Sequence, residues 1–164
     1  MKNTRGIMTI HSAPAALRPH LEWAVGAVLG HRIEFDWTWQ LAEHRTLRAD
    51  YSWTGPVGTG ADLASALRSC ERVRFEVTEE AVPGGEGTRW AFTPRLGVFS
   101  ATMGPHGDIL IHEERLKQAV LADALGRKPL SDSIYALLGT DWDTELEAFR
   151  QAAEGAPVRW LHVG

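Results

Sequence analysis

Two stretches decide the fold class: Ile33–Trp39, IEFDWTW, and Leu47–Trp53, LRADYSW. In the first, Ile33, Phe35, Trp37 and Trp39 alternate with Glu34, Asp36 and Thr38. Successive side chains of a strand point to opposite faces, so this alternation predicts a half-buried strand with the apolar row inward. The second stretch repeats the pattern with Leu47, Ala49, Tyr51 and Trp53 inside. The segment 72–80 alternates again and puts Val73, Phe75 and Val77 on one face. Clean alternation of this kind belongs to antiparallel sheets with one packed face.

Outward from these strands the period changes. Gly6–His11, GIMTIH, reads as a short buried strand followed by a Ser-Ala-Pro turn. Leu17, Leu21, Ala24, Val25, Val28 and Leu29 then recur at helical spacing, with Pro14 or Pro19 suited to the first turn and Gly30 to the stop. The loop 55–60 feeds a second helix carrying Leu63, Ala66 and Leu67. The predicted order β-α-β-β-α-β is that of ferredoxin-like folds. Beyond the turn-rich segment 83–87, the stretches 88–93, 97–102 and 108–112 predict an antiparallel meander. The last third is helical: 113–125 with an acidic first turn, a Leu116, Ala119, Val120, Ala124 stripe and a terminal Gly126, then 131–138 and 140–149. Thr140 and Asp143 read as a capping box, and 155–163 as a returning strand or extended tail. The expected fold is therefore α+β, a mostly antiparallel sheet opening with the ferredoxin-like order, then a β-meander and C-terminal helices. A single domain over 1–164 is expected.

Composition narrows the function classes. The chain has 164 residues, 44% hydrophobic and 23% charged, which is ordinary for a globular domain. A net charge of −4, with Arg127-Lys128 as the longest basic cluster, gives no electrostatic basis for a nucleic-acid partner or an anionic membrane. One cysteine, Cys70, rules out an intramolecular disulfide and a cysteine-rich zinc site, and its place at the end of a helical stretch predicts a buried, inert thiol. No run approaches the roughly 18 apolar residues of a membrane span. The segment 1–6 is polar and is not followed by a signal-like apolar core, so a cytoplasmic protein is expected. Seven tryptophans, at 23, 37, 39, 53, 90, 142 and 160, are expected mainly in the core.

The candidates for chemistry each have a structural explanation. The glycine-rich loop 55–60 precedes a helix as a phosphate cradle would, but it lacks Gly-Lys-Ser/Thr, and Thr59 with Asp62 reads better as an N-cap pair. His20-Leu21-Glu22 matches half of a zinc deaminase motif without the Pro-Cys-x-x-Cys that completes it. His106, Asp108 and His112 suggest a metal, yet the ends of a strand over 108–112 would lie about 13 Å apart at ~3.3 Å per residue. No metal and no cofactor are expected. His11 and Ser12 lie where the first strand passes toward the first helix, without the glycines of a nucleophile elbow. Glu113 and Glu114 suit a helix start, with Glu113 four residues before Lys117. Arg159 and Trp160, inside APVRWLH, suggest a tail docked on the sheet or a partner-binding strand.

Several stretches together resemble an uncharacterised actinobacterial family, domain of unknown function 3145. They are IHSAPAALRPHLEWAVGAVLG at 10–30, RFEVTEE at 74–80, FTPRLGVFSATMGPHGDIL at 92–110 and EGAPVRWLH at 154–162. The resemblance spans essentially the whole chain and implies a cytoplasmic single-domain protein. It implies no activity and assigns no residue a role.

The residues therefore favour a non-catalytic binding or regulatory module for a protein partner or small ligand. Its candidate contacts are His11, Ser12, His20, Trp37, Trp39, Arg159 and Trp160. The alternative is a small enzyme using His11, Ser12 and His20 at the first strand-to-helix turn, with a histidine within reach of Ser12. A third class is a ligand sensor that binds at the interface of a homodimer.

Overall fold

Alternating and helical segments resolve into seven strands and five α-helices, with a 3-10 turn at Ala15–Leu17, in the computed structural model, which describes residues 1–153. In chain order they are β1 (Asn3–Pro14), α1 (Arg18–Leu29), β2 (Thr38–Trp39), β3 (Thr46–Pro56), α2 (Thr59–Arg68), β4 (Arg74–Glu79), β5 (Gly87–Thr93), β6 (Gly97–Met103), β7 (Ile109–Leu110), α3 (Glu113–Ala124), α4 (Leu130–Leu138) and α5 (Thr140–Gln151). The fold is α+β. All seven strands join one sheet in the order β2-β3-β1-β4-β5-β6-β7, and every pairing is antiparallel.

The two faces of the sheet are covered differently. Met8, Ile10, Phe75 and Val77 point to one face and pack with Leu21 and Val25 of α1 and Leu63 and Leu67 of α2. Phe75 and Val77 are wholly shielded, and each such side chain stabilises the fold by about 1.5–3 kcal/mol. The opposite face carries Thr9, Arg74, Glu76 and Thr78, and α5 lies across it against β1 and β5. Leu146 and Phe149 anchor α5 there, with the Arg74 guanidinium 4.5 Å from the centre of the Phe149 ring.

IEFDWTW behaves differently from its pattern. Only Thr38 and Trp39 join the sheet, through β3, and Trp39 is 64% exposed. Ile33 and Phe35 do point inward, but Glu22 of α1 supplies the local pairing: its Oε1 accepts from Phe35 N at 3.0 Å and from Trp37 Nε1 at 2.9 Å. A side chain thus takes the place of a ladder, and a sequence pattern does not distinguish the two. β3, in contrast, keeps the predicted alternation, with Leu47, Ala49 and Trp53 buried.

Both proposed capping pairs are replaced by glycines in the left-handed region. Gly58 (φ 102°) precedes α2 and Gly139 (φ 71°) precedes α5, and neither helix start has a side-chain cap at that position. Thr59 Oγ1 instead donates to Pro56 O at 2.7 Å. At α2 the exposed amides are met from β4: the Glu79 carboxylate accepts from Gly58 N at 2.9 Å and Gly60 N at 2.7 Å. The glycine-rich loop does hold an anion, and that anion is the chain's own.

The tryptophans divide. Trp53 is buried, Trp37 and Trp90 pack against the core from its margin, Trp142 packs on Phe99 at the far end, and Trp23 is 70% exposed. The expected placement of most tryptophans in the core therefore holds for only part of the set, since a large ring with one polar N–H also serves at surfaces. Cys70 is buried and unpaired. The segment 155–163, with Arg159 and Trp160, lies outside the described residues.

Candidate functional site: a charged cleft under the last helix

The end of β1 sets up the site. Its register against β3 shifts between Ile10 and Ala13, and against β4 between Ile10 and Ser12. A bulge leaves one residue out of the ladder and re-aims its neighbours. His11 and Ser12 accordingly both reach β4 side chains of the same face. His11 Nε2 bonds Glu76 Oε2 at 2.6 Å, and Ser12 Oγ accepts from Arg74 Nη1 at 3.3 Å.

Glu76 is the hub. Arg150 of α5 donates to it through Nη2 at 2.6 Å and Nε at 3.3 Å, and Arg89 of β5 donates through Nη2. Both arginines also hold Asp143 Oδ1, at 3.0 Å from Arg150 and 2.9 Å from Arg89. Burial pushes the Glu76 carboxyl up, but the hydrogen bond from His11 and the charges of His11, Arg89 and Arg150 outweigh it and hold the group well below the usual carboxylate range. Burial lowers Arg89 and Arg150, and the adjoining Glu76 and Asp143 reverse that, so both end above the ordinary guanidinium value. A second knot flanks this one, where Arg74 pairs with Glu43 and with Glu145, and Glu145 also accepts from Thr93 Oγ1 at 3.1 Å.

This layer forms the floor and wall of a cleft of about 580 Å³, with Ile7, Thr9, Thr78 and Met103 on its sheet side. A second hollow of about 810 Å³ shares Arg89, His106, Gly107, Asp143 and Glu147 with it. Arg89 divides its donors unevenly. Nη2 makes both of its bonds, while Nε and Nη1 bond none of the described residues. Asp143 Oδ2 is likewise without a hydrogen bond among the described residues, beside a side chain 39% exposed. Arg89 and Asp143 both line the cleft, which therefore has guanidinium N–H donors and a carboxylate oxygen on its walls.

The sequence candidates fall in different places. His11 and Ser12 are brought together, but Ser12 is wholly buried and its hydroxyl bonds Arg74, with no histidine bonded to it among the described residues. His20 lies exposed on α1, its ring 5.9 Å from that of Trp23. Trp37 is tied to Glu22, and Trp39 faces outward. His106 and Asp108 occupy the β6–β7 turn, whereas His112 bonds Thr102 Oγ1 at 2.8 Å. Among the described residues no group of three His, Cys, Asp or Glu side chains is placed to hold a metal ion. No helix there is long and apolar enough to cross a membrane.

A family model described as a protein of unknown function, DUF3145, matches residues 7–163. The chain belongs to that family. No curated protein and no solved structure matches it. The matched span takes in every residue of the cleft, from Ile7 of β1 to Arg150 of α5.

Sequence reasoning missed Glu76, Arg89, Asp143 and Arg150. Glu76 sits on the strand face that alternation assigns to solvent. On α5, Asp143 reads as the capping partner of Thr140, and Arg150 falls just past the expected helix 140–149. Their one shared signal is opposite charge on two elements, which becomes informative only once α5 is known to cross β4.

Proposed function

We propose that this family member is a non-catalytic binding module whose ligand is a small amino or hydroxy acid held in the cleft between β1, β4, β5 and α5. The observation that carries this reading is the half-used guanidinium of Arg89. A guanidinium has five N–H donors, and Arg89 lines the cleft with Nε and Nη1 bonded to none of the described residues, which leaves single N–H donors for a ligand carboxylate. Asp143 Oδ2 supplies an acceptor for an amine or hydroxyl on the same ligand, and Ile7 and Met103 supply apolar contact for its body. The enzyme alternative has less support, because no described residue is bonded to Ser12 as a base and His20 stands apart.

Titration of isotopically labelled protein with glutamate, lactate and citrate tests the reading by amide chemical shifts. Shifts are expected to centre on Thr78, Arg89, His106 and Asp143. Arg89→Lys keeps a cation beside Glu76 but removes the Nε and Nη1 donors, and about a tenfold loss of affinity is expected from one lost charge-assisted hydrogen bond. If none of the three acids moves those amides, or if Arg89→Lys binds as tightly as wild type, the reading fails.

Two finer points belong to the same proposal. The first half of the chain is a ferredoxin-like unit on this reading, supported by the element order β1-α1-β2-β3-α2-β4 and the spatial order β2-β3-β1-β4. Its setting is an actinobacterial cytoplasm, supported by the resemblance carried by the quoted stretches and by the single buried cysteine. The exposed Trp23 of α1 and Trp39 of β2 favour a second reading, a protein partner on that side of the molecule.

A further inference from the structure

We infer that α3 is the contact surface for a second copy of this chain, paired antiparallel about a twofold axis. α3 is held poorly by its own chain. Of its twelve residues only Ala119 is buried. Leu116, Val120, Leu121 and the adjoining Leu125 are all exposed, the last three by more than half. At about 100° per residue these four span roughly half of the helix circumference, an apolar face crossed by Lys117, whose ammonium pairs with Glu113 at 3.1 Å and whose stem is itself apolar. A lone helix of about 12 residues is marginal in water, and tertiary packing ordinarily supplies its stability. α4, its neighbour, buries no residue and leaves Tyr135 57% exposed beside it.

The pattern of charge chooses the occupant. The N-terminal end of α3 carries Glu113 and Glu114, and the segment just past its C-terminal end carries Arg127 and Lys128. That segment stays against the helix, since Arg127 N and Lys128 N donate to Ala122 O at 2.9 and 3.5 Å. Among the described residues Glu114, Arg127 and Lys128 make no ion pair, while Glu113 pairs with Lys117 at 3.1 Å. An axis midway between Val120 and Leu121 makes this surface complementary to itself. Val120 then meets the partner's Leu121, and Leu116 meets the partner's Leu125. Glu114 meets the partner's Arg127, and Glu113 the partner's Lys128. Apolar meets apolar on either side of the axis, the Lys117 stem lies against the partner's Ala124, and acid meets base at both ends, which is the requirement of an isologous contact. A parallel arrangement would set like charges together. One helix pair lies at the small end of the interface range, so the dimer is a reversible one.

Sedimentation velocity of the full chain over a range of concentrations reads the association. Wild type is expected to pass from monomer to dimer, and Leu121→Asp to weaken the dimer by at least about tenfold with an unchanged circular dichroism spectrum. Two exposed charge variants give the decisive comparison: Glu113→Lys with Glu114→Lys, and Arg127→Glu with Lys128→Glu. Each alone is expected to remain monomeric where wild type dimerises, and an equal mixture to form a heterodimer, because one copy then carries four basic residues at the ends of the contact and the other four acidic ones. A wild-type chain that stays monomeric throughout overturns the inference. So does a dimer that both charge variants form unaided, or a mixture of them that does not associate. Arg89 and its cleft are unaltered in all these variants, so a failed dimer leaves the ligand reading standing and a failed ligand leaves the dimer standing.

Discussion

Glu76→Gln tests whether charge holds α5 to the sheet. The amide keeps the carboxylate's shape without its charge, and its NH2 half faces imidazole and guanidinium donors that need acceptors. In the wild type that carboxylate takes His11 Nε2 and Arg150 Nη2, each at 2.6 Å, as well as Arg150 Nε and Arg89 Nη2. The Arg150 side chain is only 6% exposed and cannot turn to water. Breaking a buried pair by removing one partner costs about 3–5 kcal/mol, and since Asp143 still binds both arginines the lower end, about 3 kcal/mol, applies. For a chain of this size that is a fall in Tm of about 6–12 °C. Acid gives a second readout. The folded Glu76 carboxyl titrates well below the usual range, while the unfolded one titrates near ~4.3. Between those values the unfolded chain binds a proton that the folded chain does not. The contribution of Glu76 is therefore complete above about pH 5 and is lost as pH falls through the folded value. Urea unfolding at neutral pH and at a series of acid values should show the gap between wild type and variant narrowing in acid. A variant that loses under about 1 kcal/mol at neutral pH, or a gap that keeps its width in acid, refutes the reasoning.

Two further substitutions probe the frame around the cleft. Gly6 lies on β1 between β3 and β4, and a Cβ there would fall 1.7 Å from Thr78 O and 2.6 Å from the Trp53 ring. Gly6→Ala must push the central strands apart, so a loss of about 3 kcal/mol or more is expected by thermal denaturation, and a wild-type Tm would show that β1 and β4 yield freely. Glu79→Gln leaves one acceptor for the two amides of Gly58 and Gly60 and removes the negative charge at the start of α2. A loss of about 1–2 kcal/mol with faster hydrogen exchange at Gly60 is expected, and unchanged exchange there would show that Glu79 does not cap the helix.

Legibility followed from how local each decision was. β3 and β4 were readable because their apolar rows, Leu47 to Trp53 and Val73 to Val77, meet a packed helical layer, and a one-residue slip would turn every one of those side chains to water. Gly30 ended α1 as expected, adopting φ 77° at its C-cap, because that requirement sits in a single residue. IEFDWTW misled because its alternation is served by Glu22, thirteen residues upstream, which no period of two or 3.6 reveals. The starts of α2 and α5 misled for a related reason. Thr59-x-x-Asp62 and Thr140-x-x-Asp143 have the letters of a cap, but Glu79 already occupies the first helix end, and Arg89 and Arg150 have recruited Asp143 away from the second. The cleft itself stayed hidden because Glu76 reads as a wet strand face and Asp143 as a cap until β4 and α5 are laid together.

That concealment bears on why the face is built from charge at all. Leu146 and Phe149 already give α5 an apolar anchor, so its remaining contacts with the sheet did not have to be ionic. Buried ion pairs gain little over well-packed apolar residues of the same volume, because desolvation offsets most of their attraction. If seating α5 were their only role, aliphatic side chains at 76, 89 and 150 would serve as well, as Val73, Phe75 and Val77 do on the other face. What aliphatic side chains would not provide is a guanidinium fixed through one nitrogen at the wall of a cavity. Glu76 and Asp143 fix Arg89 in place through Nη2 alone, and Arg150 locks Glu76 and Asp143 from behind. On the proposed function, this network would leave Arg89 little orientational freedom to lose when a carboxylate arrives, and lowering that ordering cost is the general route by which a fixed site gains affinity.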